Sequence, residues 1–317
     1  AATSLYGIRA SNGVIVVVTR KATGKTTSVV ASAGFYIYPL PKLSYLDYAS
    51  TSDIIDFERE FLLSDPTYAS SPTDYFANMV DPASPQKMTD IQRLYYEMSL
   101  GNLTATELEQ KVDEMRKYDY RKERRKALQQ TAVTQDYNLS IAKGGENSNL
   151  FVSFRYQDFG QYTKSAESRR FSTYIKNEMD LNKWFKLTYG ANAYFTRSKS
   201  SMAESSSNSD APEVGYIMPY ERLRDDDGNL VYHYFHNYYL AQDVNDTDGL
   251  KFMGYNAIES STQNMSTTKD LYLKFFAHTD FRIMQGLDLG LKFQYERTHS
   301  EKEQYDEEDS YQMRFLI

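Results

Sequence analysis

The chain has 317 residues, with 43 acidic against 36 Lys and Arg and a formal net charge of −7, a pI near 5.3 and a mean hydropathy of −0.63. That acidic balance argues against nucleic-acid binding, the absence of cysteine removes disulfides and thiolate chemistry, and four histidines leave little for a metal cluster. No stretch approaches the roughly 18 apolar residues of a spanning helix; the longest apolar run is Val14 to Val18, whereas 28 Tyr and 17 Phe stand beside one Trp.

The chain opens Ala1-Ala2-Thr3-Ser4 without an initiator Met or a leader-like run, and closes while Met313, Phe315 and Ile317 alternate with Gln312, Arg314 and Leu316. Both ends read as cuts within structure, so the expectation is a segment of a longer polypeptide. Near the start, an Asn12-Gly13 bend leads into Val14 to Val18 and a basic exit at Arg20-Lys21. Such a β-branched run is suited to a strand buried on both faces.

A long strand is expected over Thr26 to Tyr38, followed by a polar connection from Pro39 to Thr134. Helical spacing recurs there over Ser52 to Leu63 and Met88 to Leu100, and a Thr104-Ala105-Thr106-Glu107 capping box opens a helix through about Gln129. The run Arg121-Lys122-Glu123-Arg124-Arg125-Lys126 offers an anionic partner such as lipopolysaccharide a contact. Its interleaved acid favours a solvated helix face.

Three hairpins follow, each with one apolar and one mostly polar face. Tyr137, Leu139 and Ile141 pair with Leu150, Val152, Phe154 and Tyr156 around a Gly144-to-Asn147 turn. Phe171, Thr173, Ile175, Met179 and Leu181 precede an Asn182-Lys183 turn and the run Phe185, Leu187, Tyr189, Ala191, Ala193, Phe195. Leu271, Leu273, Phe275, Ala277, Thr279, Phe281 and Ile283 precede a Gln285-Gly286 turn and Leu287, Leu289, Leu291, Phe293, Tyr295. Ten or more alternating residues are long for a soluble strand and suit one crossing a membrane at a tilt. Leu187, Ala191, Leu273, Phe275, Leu289 and Leu291 are expected to face lipid, and Glu178, Lys186, Lys274 and Lys292 the lumen. Trp184, beside a short turn, reads as a girdle residue. The tight turns fall on one side and the long connections, 39–134, 198–268 and the acidic stretch 300–310, on the other, as in outer-membrane barrels.

The second long connection holds the candidate chemistry. Asp225-Asp226-Asp227-Gly228-Asn229 reads as an Asp-Gly turn rather than a calcium loop, because Leu230 stands where an EF-hand needs Gly. His233 and His236 lack a third ligand at recognisable spacing and read as loop histidines. No nucleophile elbow, phosphate loop or zinc-protease helix is present, so no catalytic residue, metal or cofactor is expected. Tyr216, Tyr220, Tyr232, Tyr234, Tyr238 and Tyr239 form a cluster whose flat faces and hydroxyls suit a sugar ring or an extended peptide. The competing reading is that these rings pack the loop on itself or on a partner.

The segment Ala1-Ala2, Leu5-Tyr6-Gly7, Arg9, Asn12-Gly13-Val14-Ile15 and Thr19 resembles the end of the plug domain of TonB-dependent outer-membrane transporters of the SusC/RagA family. Asp136-Tyr137-Asn138-Leu139-Ser140 with Gly144-Gly145, and Arg169 to Trp184, are similar to early barrel strands of that family. The resemblance implies an all-β transmembrane antiparallel barrel, of which this chain is part, with about 22 strands in the parent. Residues 1–24 would end the plug, and 25–317 would begin the barrel with its helix-containing extracellular loop. It further implies an outer-membrane importer of oligosaccharides or peptides, not an enzyme, energised by TonB through a plug region outside this chain and served by a SusD-like lipoprotein lid. The alternative is a surface adhesin or a barrel-borne enzyme acting through its loops. Arg9, within the plug, is expected to pair with an inward wall carboxylate such as Glu178 or Asp180 as a latch, against the reading of a solvated arginine.

Overall fold

The computed structural model describes residues 26–84, 86–201, 217–235, 237–247, 249 and 251–314. Arg9, Tyr216, His236 and the expected plug segment lie outside the described residues. Seven strands form one sheet in chain order: β1 (Thr27–Tyr38), β2 (Ala132–Gly144), β3 (Ser148–Asp158), β4 (Glu167–Asn182), β5 (Phe185–Ser201), β6 (Asn264–Met284) and β7 (Leu287–Asp306). Every neighbouring pair is antiparallel.

The register puts the alternating residues into continuous rows. Val29, Ile141, Val152, Ile175, Ala191, Phe275 and Tyr295 are successive cross-strand partners on one face. The adjacent row, on the other face, reads Val30, Ser140, Ser153, Tyr174, Asn192, Lys274 and Glu296. The apolar face is uncovered: Phe275 is 50% exposed, Leu291 55% and Phe293 66%. On the polar face charges are paired, Lys274 with Glu296 at 3.0 Å and Lys176 with Glu178 at 2.7 Å. Tyr194 also stacks on Tyr272 there, with ring centroids 4.9 Å apart.

Two turns fall where the alternation placed them, and Gly286 takes the positive φ of 87° that its two-residue turn requires. The β4–β5 turn is Lys183-Trp184 instead of Asn182-Lys183, because an irregularity between Asp180 and Asn182 absorbs a residue and Asn182 pairs with Phe185. Trp184 lies against Phe185 and Phe281, at centroid distances of 6.0 and 6.4 Å.

The strands also continue past the expected loop boundaries at Ser198, Thr268 and Ser300. β6 has 21 residues and β7 has 20, roughly twice the 9–11 that cross a bilayer. Alternation signals only the part of a strand that has an apolar side. Beyond it, polar pairs such as Ser198 with Thr268 and Glu303 with Thr267 extend the ladder, and Lys269 reaches Glu303 at 3.0 Å.

Both long connections fold into a cap at one end of the sheet. The first carries α1 (Thr51–Ser64), α2 (Pro66–Ser70), α3 (Pro72–Val80), α4 (Asp90–Ser99), α5 (Ala105–Met115) and α6 (Tyr120–Leu128). The second carries α7 (Tyr238–Asn245) and α8 (Ala257–Gln263), and α9 (Tyr311–Arg314) follows β7. Ser50, Thr89 and Thr104 each close a capping box. The single helix expected from Thr104 to Gln129 is two. Asp119 caps a fresh start, accepting from Arg121 and Lys122 backbone N–H groups, while Tyr120 N–H donates to Pro219 O at 2.8 Å. The basic run of α6 is partly turned inward: Arg121 binds Asp119 and Ala49 O, and Arg125 binds Pro41 O.

The hydrophobic core lies in this cap. Ile55, Leu62, Phe76, Ile91, Leu108 and Val112 pack with Tyr220 of the second connection, and Tyr120, Leu223, Tyr255 and Tyr311 form a second cluster. Among the described strand residues only Ala132 and Met265, at the cap end, are buried hydrophobics. No helix among the described residues is long and apolar enough to cross a membrane.

Candidate functional site

The tyrosines of the second connection come together against the first. Asn237, 1% exposed, is the fastener. Its Nδ2 donates to Met79 O, Asp81 O and Gln86 O at 2.9 to 3.1 Å, and its Oδ1 caps α7 by accepting from the Tyr239 and Leu240 N–H groups. Asn256 acts alike at α8, donating to Leu223 O at 3.0 Å and Val231 O at 2.7 Å. His233 and Tyr255 exchange two backbone hydrogen bonds. The Asp225-to-Asn229 stretch is a turn, with Asp225 N–H donating to Asn229 O and Gly228 at a φ of 88°.

These fixings shape a half-open cavity of about 430 Å³ between α4, α5 and the second connection. Tyr220, Tyr232, Tyr234, Tyr238 and Tyr239 all line it. They are not equivalent. Tyr220 is a core residue, 1% exposed, whose hydroxyl donates to Glu58 at 2.6 Å. Tyr238 carries the Arg93 guanidinium over its ring at 4.6 Å and meets Tyr234 edge to face at 5.7 Å. Tyr239 packs on Tyr96 and Tyr232 on Phe252. Self-packing and cavity lining are therefore combined in the same rings.

The cavity wall and its surroundings are also charged, a feature absent from the expected site. Glu221 and His233 pair through Nδ1, with side chains only 9% and 3% exposed. Asp90 holds Arg93 at 2.8 Å. Burial raises the Asp90 carboxyl, with Arg93 pulling the other way, and pushes Glu58 up to about 7, with Glu221 and Asp90 adding to the rise. Burial also raises Tyr239 to about 12. One signal was present in the sequence: Glu58 falls on the inward stripe of α1, between Ile55 and Leu62, where an acid is out of place. Arg93, Asp90 and Glu221 carried no such mark.

The wall carboxylate proposed for Arg9 has neighbours of its own, since Glu178 lies 2.7 Å from Lys176 and 3.6 Å from Lys186. Asp180 donates its backbone N–H to Asn147 O.

No protein-family model matches the chain, and neither does any curated protein. Solved structures do. The RagAB peptide importer in its closed-closed state superposes with a TM-score of 0.64 at 17% identity, over 97% of this chain and 32% of that one. A further structure of the RagAB peptide transporter gives 0.62, over 95% and 31%, and the open-open state gives 0.59, over 96% and 31%, each at 17% identity. The likeness is one of fold: this chain is built like about a third of a RagAB chain, a partial antiparallel β-barrel with its cap.

Proposed function

We propose that this chain is the end of the plug and the first seven wall strands of a TonB-dependent, SusC/RagA-like importer of the outer membrane. The observation that carries this reading is the unbroken seven-strand register, with an uncovered apolar face and an ion-paired polar one, superposing on RagAB over 97% of the chain. A sheet with exposed Phe275, Leu291 and Phe293 is stabilised when lipid covers that face, and its edges are tolerated in hydrocarbon only if further strands close them. Residues 1–24 are then the plug end, with Arg9 as its candidate latch to a wall carboxylate, and residues 25–317 the wall. The cap and the β3–β4 connection face outside, where a SusD-like lipoprotein meets them, and TonB acts from the other side. The solved relatives are named as peptide importers, which supports peptides beside oligosaccharides as cargo.

Cysteines placed singly at Phe57 and at Gln285 of the complete protein test the topology on intact cells. Labelling of Phe57→Cys and protection of Gln285→Cys from an impermeant maleimide are expected. The reverse pattern would overturn the proposed orientation, and equal labelling of both would remove the membrane reading.

A further inference from the structure

On the apolar face of the sheet the side chains change character abruptly at the cap end. Along β5 that face reads Phe185, Leu187, Tyr189, Ala191, Ala193 and Phe195, and then Arg197 and Lys199. From Phe185 to Phe195 is about 33 Å of strand, which at a tilt of about 40° spans about 25 Å, the height of a barrel's apolar band. The neighbouring strands change at the same level. Phe171, Phe195 and Leu271 are cross-strand partners in the last apolar row, and Arg169, Arg197 and Lys269 are partners in the next outward-facing row. On these three strands the first charged row of the apolar face begins where a bilayer's hydrocarbon ends.

That row is unusual in sign. Arg197 stands opposite Arg169 on one side and Lys269 on the other, and like charges facing each other across about 5 Å of sheet cost stability. The acids lie to either side of it. Arg169 is held by Asp158 at 3.3 Å and Glu167 at 3.6 Å, and Lys269 by Glu303 at 3.0 Å and Glu301 at 3.7 Å. Between them Arg197 and Lys199 are exposed and form no ion pair among the described residues. On the inward face Arg170 is occupied, donating to Thr196 Oγ1 at 3.0 Å and lying over the rings of Phe159 and Tyr194. A second feature adjoins the row. A shallow groove of about 600 Å³ crosses the apolar face from β1 to β4, lined by Ala31, Ala33, Leu139, Phe154, Tyr156 and Phe171. Phe171, its residue nearest β5, is the outward residue next to Arg169 along β4. Cations set above an apolar groove suit an amphiphile with an anionic head, and guanidinium forks match phosphate oxygens in pairs.

We infer that Arg197 and Lys199, with Arg169 and Lys269 beside them, bind the phosphate of an outer-leaflet lipid, one of whose acyl chains lies in the groove over β1 to β4. The inference rests on the proposed reading of the sheet as a barrel wall, because it needs the apolar face in lipid and the cap end outside. The bound phosphate relieves the repulsion within the cationic row and fastens the wall to the leaflet around it.

The test is binding of fluorescent bisphosphorylated lipid A in detergent micelles to the complete, purified protein, in parallel with the same lipid stripped of phosphate and with inorganic phosphate as competitor. The phosphorylated lipid is expected to bind about tenfold more tightly than the stripped one, and the double variant Arg197→Gln/Lys199→Gln to lose that difference. Ala33→Trp, which fills the groove from another strand and leaves every charge in place, is expected to weaken both lipids alike; it decides if the double variant fails to fold. Equal affinity for the two lipids, or a double variant that binds as the parent does, would overturn the site. Displacement of the lipid by an equal concentration of inorganic phosphate would assign the cations to a free anion instead, and indifference to Ala33→Trp would overturn the seat of the acyl chain. The barrel reading stands or falls separately, on the Phe57 and Gln285 labelling, which none of these variants touches; the expected labelling with lipid binding indifferent to the cations would remove this inference alone.

Discussion

Glu58 and Asn237 show how single residues hold the two cap connections together. Glu58 is a carboxyl placed among apolar neighbours, accepting from Tyr220 and raised to about 7 by burial with Glu221 and Asp90 nearby. Its ordinary value is 4.5. Between these values the folded cap holds a proton that the opened cap releases, so stability is full below about 4.5 and is lost as pH rises toward 7. Limited proteolysis of the cap is expected to be faster at pH 7.5 than at pH 5.0, by an amount on the order of 1 to 2 kcal/mol in opening free energy. Glu58→Gln should flatten that difference. Asn237 is a different case, since its side chain serves five backbone groups at once. Asn237→Ala leaves Met79, Asp81 and Gln86 carbonyls without this donor, and a loss of about 2 to 4 kcal/mol in cap stability is expected, read as a lower protease-resistance midpoint in urea.

At the level of elements, strand and helix obey different rules of legibility. A strand with one apolar side announces itself by period two, and β1 to β7 were visible wherever that side existed. Their polar extensions were not, because Ser, Thr, Lys and Glu on both faces leave no periodicity to read. The break between α5 and α6 was hidden for a related reason: the residues around it are compatible with helix, and the Tyr120-to-Pro219 hydrogen bond that accompanies the second start comes from a distant part of the chain. The faces themselves carry a prediction. Leu291 on the apolar side and Lys292 on the polar side are adjacent in β7. Leu291→Arg is expected to cost about 2 to 4 kcal/mol of barrel stability in lipid and Lys292→Arg almost nothing. Equal costs in a denaturant titration from vesicles would contradict the facing.

Across the whole molecule, the division between an almost coreless sheet and a cored cap sets what each part needs. The sheet buries few side chains of its own, and on the reading proposed above it needs lipid, lumen contents and further strands. The cap has its own apolar clusters, three capping boxes and two asparagine fasteners. A complete barrel closes every backbone hydrogen bond within itself, so it should open slowly. The complete protein is expected to stay folded in dodecyl sulfate at room temperature and to change its gel mobility on boiling. Identical mobility before and after boiling would argue against closure.

By itself the sequence determined the strand order, the hairpins, the side on which the loops fall and the starts of three of the helices, α1, α4 and α5. Each of these is written in residues a few positions apart: alternation, Gly turns and capping boxes are local physics. Only the tertiary structure decided that Glu58 and Asp90 of the first connection meet Glu221 and His233 of the second. It also turned Tyr220 into a core residue. Those facts depend on burial and on pairs far apart in the chain, and no local pattern records which distant group will arrive or which will not.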